Sequence, residues 1–319
     1  MILRAAPRVM FVLPCYNEEE VLLTTAESLK NKLISLTEKN KIAQNSNILF
    51  VDDGSTDGTW NIVKQLNEQD SYHFHGLKLA HNKGHQNALF AGLMQALSLG
   101  TDVAISLDAD LQDDPNAIDE MVDEYRKGCE IVYAVRDNRD TDTVFKRKTA
   151  HVFYSFMRWL GTETIPDHAD YRLMSRDALQ ALSNYHEVNL FLRGIVPSLG
   201  FKTAKVYYKR GIRVAGESKY PLRKMVSFAL EGVTSFSTRP LSLITGMGIL
   251  SVVIGLVMLV YTLSSVFSGH AVSGWGSLMC SLWFIGGFIL MAIGIVGEYI
   301  GKIYLEVKAR PRYIIEKYI

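Results

Sequence analysis

Two runs without a charged residue, Leu241 to Phe267 and Ala271 to Gly297, limit how this chain can fold. Each exceeds the ~20 residues that carry a helix across a bilayer. The alternative is a pair of buried helices in a large soluble core, and two adjacent uncharged runs of this length argue against it. The link, Ser268 to Ser273, has no Lys or Arg. Arg239 precedes the first run, and Lys302, Lys308, Arg310, Arg312 and Lys317 follow the second. Positive flanks stay on the cytoplasmic side, so both ends, and the large domain before the runs, are expected in the cytoplasm.

Within 319 residues this division suggests four parts. Residues 1–215 read as a soluble α/β domain, 216–239 as a juxtamembrane loop and amphipathic helix, 240–300 as two transmembrane helices, and 301–319 as a basic cytoplasmic tail. Leu222, Val226, Ala229, Val233 and Phe236 recur at helical spacing. Such a helix either packs into a core or lies in a membrane interface, and its place before an apolar run favours the interface. A net charge of +1 gives no electrostatic footprint for nucleic acid. Cys15, Cys129 and Cys280 are scattered, fit no metal spacing and imply no disulfide framework. The apolar stretch between Met1 and Pro14 is too short for a signal peptide. Glycines 246, 248, 255, 286 and 287 in the apolar runs permit close helix packing, and with it a homo-oligomer.

The soluble part alternates strand and helix patterns. Strands are predicted at Val9–Leu13, Ile48–Val51, Gly76–Leu79, Val103–Leu107 and Glu130–Ala134. Helices are predicted at Glu19–Lys39, Thr56–Gln69, His85–Leu99 and Pro115–Lys127. Repeated β–α units imply a parallel sheet with helices on both faces, and ligands then sit outside the carboxyl ends of the strands. Acidic motifs gather there: Pro14-Cys-Tyr16-Asn17-Glu18, Asp52-Asp53-Gly54-Ser55 and Asp108-Ala-Asp110-Leu-Gln112. Hard oxygen ligands of this kind suit Mg²⁺ or Mn²⁺ on a diphosphate. Each motif also has a plainer reading. Asp53 and Ser55 could cap the next helix, Asp114 could cap the one begun by Pro115, and Gln112 could be an exposed loop residue. His73, His75, His81 and His85 match no zinc spacing and read as neutral loop histidines.

Together these motifs resemble family 2 glycosyltransferases of the GT-A fold, relatives of dolichol-phosphate mannose synthase. The later stretches Arg147-Lys-Thr-Ala150, Asp170-Tyr-Arg172-Leu-Met-Ser-Arg176, Asn189-Leu-Phe-Leu-Arg193-Gly194, Gly216-Glu-Ser-Lys219-Tyr220 and Gly297-Glu-Tyr-Ile-Gly301 narrow the likeness to bacterial polyprenyl-phosphate (bactoprenol) glucosyltransferases. The resemblance implies a Rossmann-like, mostly parallel catalytic domain with interfacial helices and two C-terminal spans. It implies a UDP-sugar donor, a polyprenyl phosphate (undecaprenyl phosphate) acceptor and a metal cofactor, Mg²⁺ or Mn²⁺. Pro14, Tyr16, Glu18, Asp52 and Asp53 are expected at the nucleotide, and Asp108 at ribose or diphosphate. Asp110 and Gln112 are expected at the metal.

Asp170 matches the family's candidate base, and Arg172 beside it is the second catalytic candidate. Asp170 could take a proton, orient Arg172, or form a structural salt bridge with it. Arg136, Arg139, Arg193, Arg213 and Lys219 are candidates for the phosphates, since guanidinium forks suit phosphate oxygens. A phosphate monoester is already anionic at neutral pH, so the acceptor needs little help from a base. Ala169 stands where relatives often carry Gly, and Pro197-Ser198 where they often carry Trp, which leaves the sugar open. Glucose from UDP-glucose is expected, ahead of UDP-GlcNAc, UDP-galactose or an aminoarabinose derivative. A processive synthase would need a Gln-x-x-Arg-Trp motif that the sequence lacks. A non-catalytic lipid carrier would need an intramembrane acid or base along its path, and the two runs carry none.

Overall fold

The computed structural model describes residues 3–136, 168–188, 190–209 and 274–319, with isolated positions between 241 and 257. Arg139, Arg213, Lys219 and the juxtamembrane helix fall outside them, as does most of the first apolar run.

The larger unit is an α/β sandwich, mostly parallel and GT-A-like as expected. Its strands are β1 (Val9–Cys15), β2 (Asn47–Asp52), β3 (Phe74–Leu79), β4 (Val103–Ser106), β5 (Ile131–Arg136), β6 (His168–Ser175), β7 (Thr203–Tyr208) and β8 (Ile315–Tyr318). Its helices are α1 (Leu22–Glu38), α2 (Thr59–Gln69), α3 (His85–Ser98), α4 (Ala117–Arg126), α5 (Arg176–Ser183) and α6 (Leu192–Ser198). They form one sheet in the order β7-β5-β6-β4-β1-β2-β3-β8. Every residue of β1, β2 and β4 is buried, the signature of strands covered on both faces. On α1, Leu22, Ala26, Leu29, Leu33 and Leu36 are buried at three- and four-residue spacing, so one stripe faces the sheet.

Strand order reverses at β1, which pairs in parallel with β2 on one side and β4 on the other. That switch point opens a crevice at the carboxyl edge. Two strands break the parallel pattern. β6 runs antiparallel between β4 and β5, with Ser106 opposite Arg172. β8 runs antiparallel to the outer edge of β3. Its arrival was not legible in a sequence segment that read as a basic tail.

Arg310–Ile319 belong to this larger unit, whereas Pro221–Ala309 form most of a second one. In that second unit, α7 (Trp275–Lys308) is a 34-residue helix. Its portion Phe288–Lys308 is long and apolar enough to cross a membrane, and none of its residues is buried. The helix covers most of the second apolar run and continues eleven residues beyond it, to Lys308.

Candidate active site at the carboxyl edge of the sheet

The loops after β1 and β2 are laced together. Asn17 takes a left-handed φ of 56°. Its N–H donates to Ser55 Oγ, and its Oδ1 accepts from the Thr56 N–H at 2.9 Å. Glu18 N–H donates to Thr59 Oγ1, and Glu19 Oε2 accepts from the Gly58 N–H at 2.5 Å. These bonds explain why α1 and α2 begin three residues later than predicted. The Glu19 carboxylate and the Ser55 and Thr56 amides are already engaged. Gly54, at φ 68°, could not be another residue, because a Cβ would lie 2.7 Å from the Asn82 backbone nitrogen.

Asp52 is fully buried, and its Oδ1 accepts from the Ser55 N–H at 3.1 Å. Asp53 does not cap α2. Its two oxygens accept from the Lys83 and Gly84 N–H groups at 2.7 and 2.8 Å and so hold the turn into α3. Pro14 is buried, while Tyr16 is 45% exposed at the rim. Cys15 is buried, and burial pushes its thiol well up, so it is inert packing.

The loop after β4 carries Asp108, Asp110, Gln112 and Asp113. Its backbone is pinned by Thr25 Oγ1, which donates to the Ala109 carbonyl at 2.7 Å. Leu111 sits at φ 54°, and Asp110 Oδ1 accepts from the Gln112 N–H at 3.1 Å. A left-handed, non-glycine residue at this point marks strain held by its surroundings. Gln112 is buried, not exposed. Asp114 does not cap a helix begun at Pro115. Its Oδ1 accepts from the Asn116 N–H in a local turn, and α4 starts at Ala117. Asp108 keeps 38% of its side chain exposed. Burial and the neighbouring carboxylates of Asp113, Asp170 and Asp110 push it up to about 6, against the pull of His85.

Antiparallel pairing of β6 with β4 brings a second cluster to the same level. With Ser106 opposite Arg172, two further residues along each strand set Asp170 beside Asp108. Asp170 is 4% exposed and Arg172 fully buried. Arg172 Nη2 donates to Asp170 Oδ1 at 2.5 Å. Arg193, from the first turn of α6, donates through Nε to Oδ1 at 3.3 Å and through Nη2 to Oδ2 at 3.0 Å. Gln86 Nε2 donates to Oδ2 at 3.3 Å, and His85 Nε2 lies equally close to it. Burial opposes this carboxylate's charge, but His85, Arg172 and Arg193 outweigh it and hold the group well below its usual range. A carboxylate so fully engaged orients its neighbours; it is a poor proton acceptor.

His85 was set aside as a loop histidine, yet it bridges the two clusters at the start of α3. Its Nε2 is 3.8 Å from Asp108 Oδ1. Burial works against its charge, but the hydrogen bond to Asp170 and the field of Asp108 raise it above the ordinary imidazole value. The usable signal was its place at a strand-to-helix junction on the carboxyl edge. His73 and His75 are structural: His73 Nδ1 meets Asp70 at 2.7 Å, and His75 stacks on Tyr318.

A third cluster, unforeseen apart from Arg136, lies where β5 and β7 end. Arg136 and Tyr208 are register partners. Arg136 Nε donates to Tyr208 Oη at 3.1 Å, and Tyr208 Oη donates to Asp113 Oδ1.

Comparison with known proteins fits this geometry. Residues 10–183 match the family model Glycosyl transferase family 2. YkoT of Bacillus subtilis (strain 168), named an uncharacterized glycosyltransferase, is 49% identical over 313 residues, 98% of this chain and 92% of that protein. The prophage bactoprenol glucosyl transferase homolog of Escherichia coli (strain K12) is 38% identical over 97% of this chain and 99% of its own length. The bactoprenol glucosyl transferase of Shigella phage SfII is 39% identical over 97% and 98%. With its acidic strand ends gathered at one edge and more than half its length matching the model, this chain belongs to glycosyl transferase family 2.

Proposed function

We propose that the protein transfers glucose from UDP-glucose to polyprenyl phosphate, releasing UDP, with inversion at the anomeric carbon. A phosphate oxygen of the lipid forms the new bond to that carbon as the bond to the diphosphate breaks. The observation that carries this reading is the meeting of Asp108 and Asp110 with Asp170, Arg193 and His85 at one sheet edge. Carboxylates stand there for a metal–diphosphate, and cations for phosphate oxygens. Near full-length likeness to bactoprenol glucosyl transferases supports the acceptor, and α7 supports a membrane setting for the reaction. In this reading the catalytic unit faces the cytoplasm.

The residues fit a divalent cation. Burial, together with the nearby carboxylates of Asp113, Asp170 and Asp110, lifts Asp108 to about 6 despite His85, and negative charge gathered in this way favours a bound cation. Mg²⁺ takes oxygen ligands and is commonly bound by one or two carboxylates that share its coordination with substrate phosphates. Asp110 and Gln112 would hold it, and it would neutralise charge on the departing diphosphate. Pro14, Tyr16 and Glu18 would flank the nucleotide, with Asp52 and Asp53 shaping the loops around it. Because the acceptor arrives ionised, Asp170 serves as the anchor of Arg172 and Arg193.

The test supplies purified protein in lipid with undecaprenyl phosphate, Mn²⁺ or Mg²⁺ and each radiolabelled UDP-sugar. Labelled lipid from UDP-glucose, lost with EDTA and reduced at least a hundredfold by Asp110→Asn, is expected. Labelling from another UDP-sugar would reassign the donor. Undiminished labelling with Asp110→Asn would remove the metal site proposed here.

A further inference from the structure

Asp113, Tyr208 and Arg136 form a junction that the proposed reaction does not yet use. Arg136 and Tyr208 are the last residues of two parallel strands and face each other in register. Asp113 comes from the loop that carries Asp108 and Asp110. Tyr208 Oη bridges them, donating to Asp113 Oδ1 and accepting from Arg136 Nε at 3.1 Å. Arg136 Nη2 stands 3.6 Å from the same Asp113 oxygen. Asp113 and Tyr208 are almost wholly buried, 2% and 4% exposed, while Arg136 keeps 30% of its side chain in solvent. Tyr171 braces the site, with its ring edge-on to Tyr208 and its hydroxyl donating to the Asp114 carbonyl at 3.0 Å.

The junction is a poor way to gain stability alone. Among the described residues, Asp113 Oδ2 is buried with no hydrogen-bond partner. Such an orphan is costly, and an apolar cluster would usually pack there at less expense. What the arrangement does supply is a fixed address for one guanidinium. Arg136 also lies in the field of Asp108, so the loop for the donor and a candidate cation for the acceptor are tied through a single hydroxyl.

We propose that Tyr208 and Asp113 are positioning residues that lock Arg136 to the Asp108–Asp110 loop, holding its guanidinium for the acceptor phosphate. The inference rests on the acceptor reading above. Without the Tyr208 hydroxyl, the guanidinium is drawn onto Asp113 and away from solvent. Affinity for the acceptor phosphate then falls while donor binding stays.

The experiment uses full-length protein in phosphatidylglycerol–phosphatidylethanolamine nanodiscs, with UDP-glucose and undecaprenyl phosphate varied in turn. Tyr208→Phe is expected to raise KM for the lipid phosphate about tenfold, equivalent to about 1.4 kcal/mol. KM for UDP-glucose should stay within twofold and the thermal midpoint close to wild type. Arg136→Lys keeps the charge and loses the fork, so it should show the same acceptor defect. The double variant should be no worse than either alone, since both break one linkage. If Tyr208→Phe does not fold, Asp113→Asn tests the same tie, because it keeps an oxygen for Tyr208 but drops the charge that fixes Arg136. An unchanged acceptor KM in the folded variant overturns the proposal. So does a joint loss of both KM values and thermal stability, the mark of a purely structural role. Wild-type protein inert toward polyprenyl phosphate with every donor would overturn the acceptor reading and this inference with it.

Discussion

Replacing Asp170 with Ala would strand Arg172, whose guanidinium is fully buried and whose charge this carboxylate balances. Removing one partner of a buried ion pair typically costs about 3–5 kcal/mol. The variant is therefore expected to show a lower thermal midpoint as well as lost transfer, and differential scanning fluorimetry separates this from loss of a base. Asp170→Asn keeps two of the hydrogen-bonding positions and should fall between. At this scale the sequence was informative where a residue's role is set by its neighbours in the chain. Asp108 and Asp110 stand at a strand end, and apolar residues before them announce it. It was silent where the role depends on register. Nothing local to His85 or Tyr208 tells that one meets Asp170 and the other Asp113, 85 and 95 positions away in the chain.

Among elements, the alternating strands and helices of residues 9–136 were legible because buried parallel strands read as unbroken apolar runs and amphipathic helices as stripes. Helix starts were less so, because three of them yield their first turns to loop bonds such as Asn17–Thr56 and Asp114–Asn116. The antiparallel strands were not foreseen. β8 has four exposed residues and no apolar run, and its pairing comes from the free edge of β3. The Gly76 N–H donates to Ile319 O at 3.0 Å, and the Ala80 N–H to Ile314 O at 2.9 Å. Arg312 lies over the Phe90 ring at 4.5 Å. Deleting residues 310–319 should speed hydrogen exchange at the Gly76 and Ala80 amides by at least tenfold. Amides in β1, two strands away, should keep their protection. Uniform acceleration throughout the sheet would mean that β8 supports the whole fold and does more than seal an edge.

For the molecule as a whole, the site's charges set how stability follows pH. Asp108, raised to about 6, keeps a proton in the folded state that the unfolded chain loses near pH ~4. Stability therefore falls as pH rises through that window and stays lowered above it. His85, raised above its ordinary value near ~6.5, adds stability below that value and loses it as pH climbs through the folded one. Asp170 acts oppositely, contributing above the ordinary Asp value and failing only as pH drops through its much lower folded one. The thermal midpoint should thus decline from pH 5 to 8 in metal-free protein. Mn²⁺ should restore part of it at the upper end, and Asp108→Asn should flatten the lower part. A midpoint that rises steadily across this range would contradict the assigned charges. Hydropathy alone divided the chain between a soluble part and apolar runs; it could not reveal that the soluble part is completed by residues lying past α7.

That return has a consequence for biosynthesis. Lys78 and Glu316, joined across β3 and β8, are 238 residues apart. Closing so long a loop is slow. A ribosome has delivered every other strand of the sheet, and then the apolar helix, before β8 exists to seal the edge. The nascent enzyme thus emerges with one raw flank exposed, a window in which chaperones or a second nascent chain could engage it.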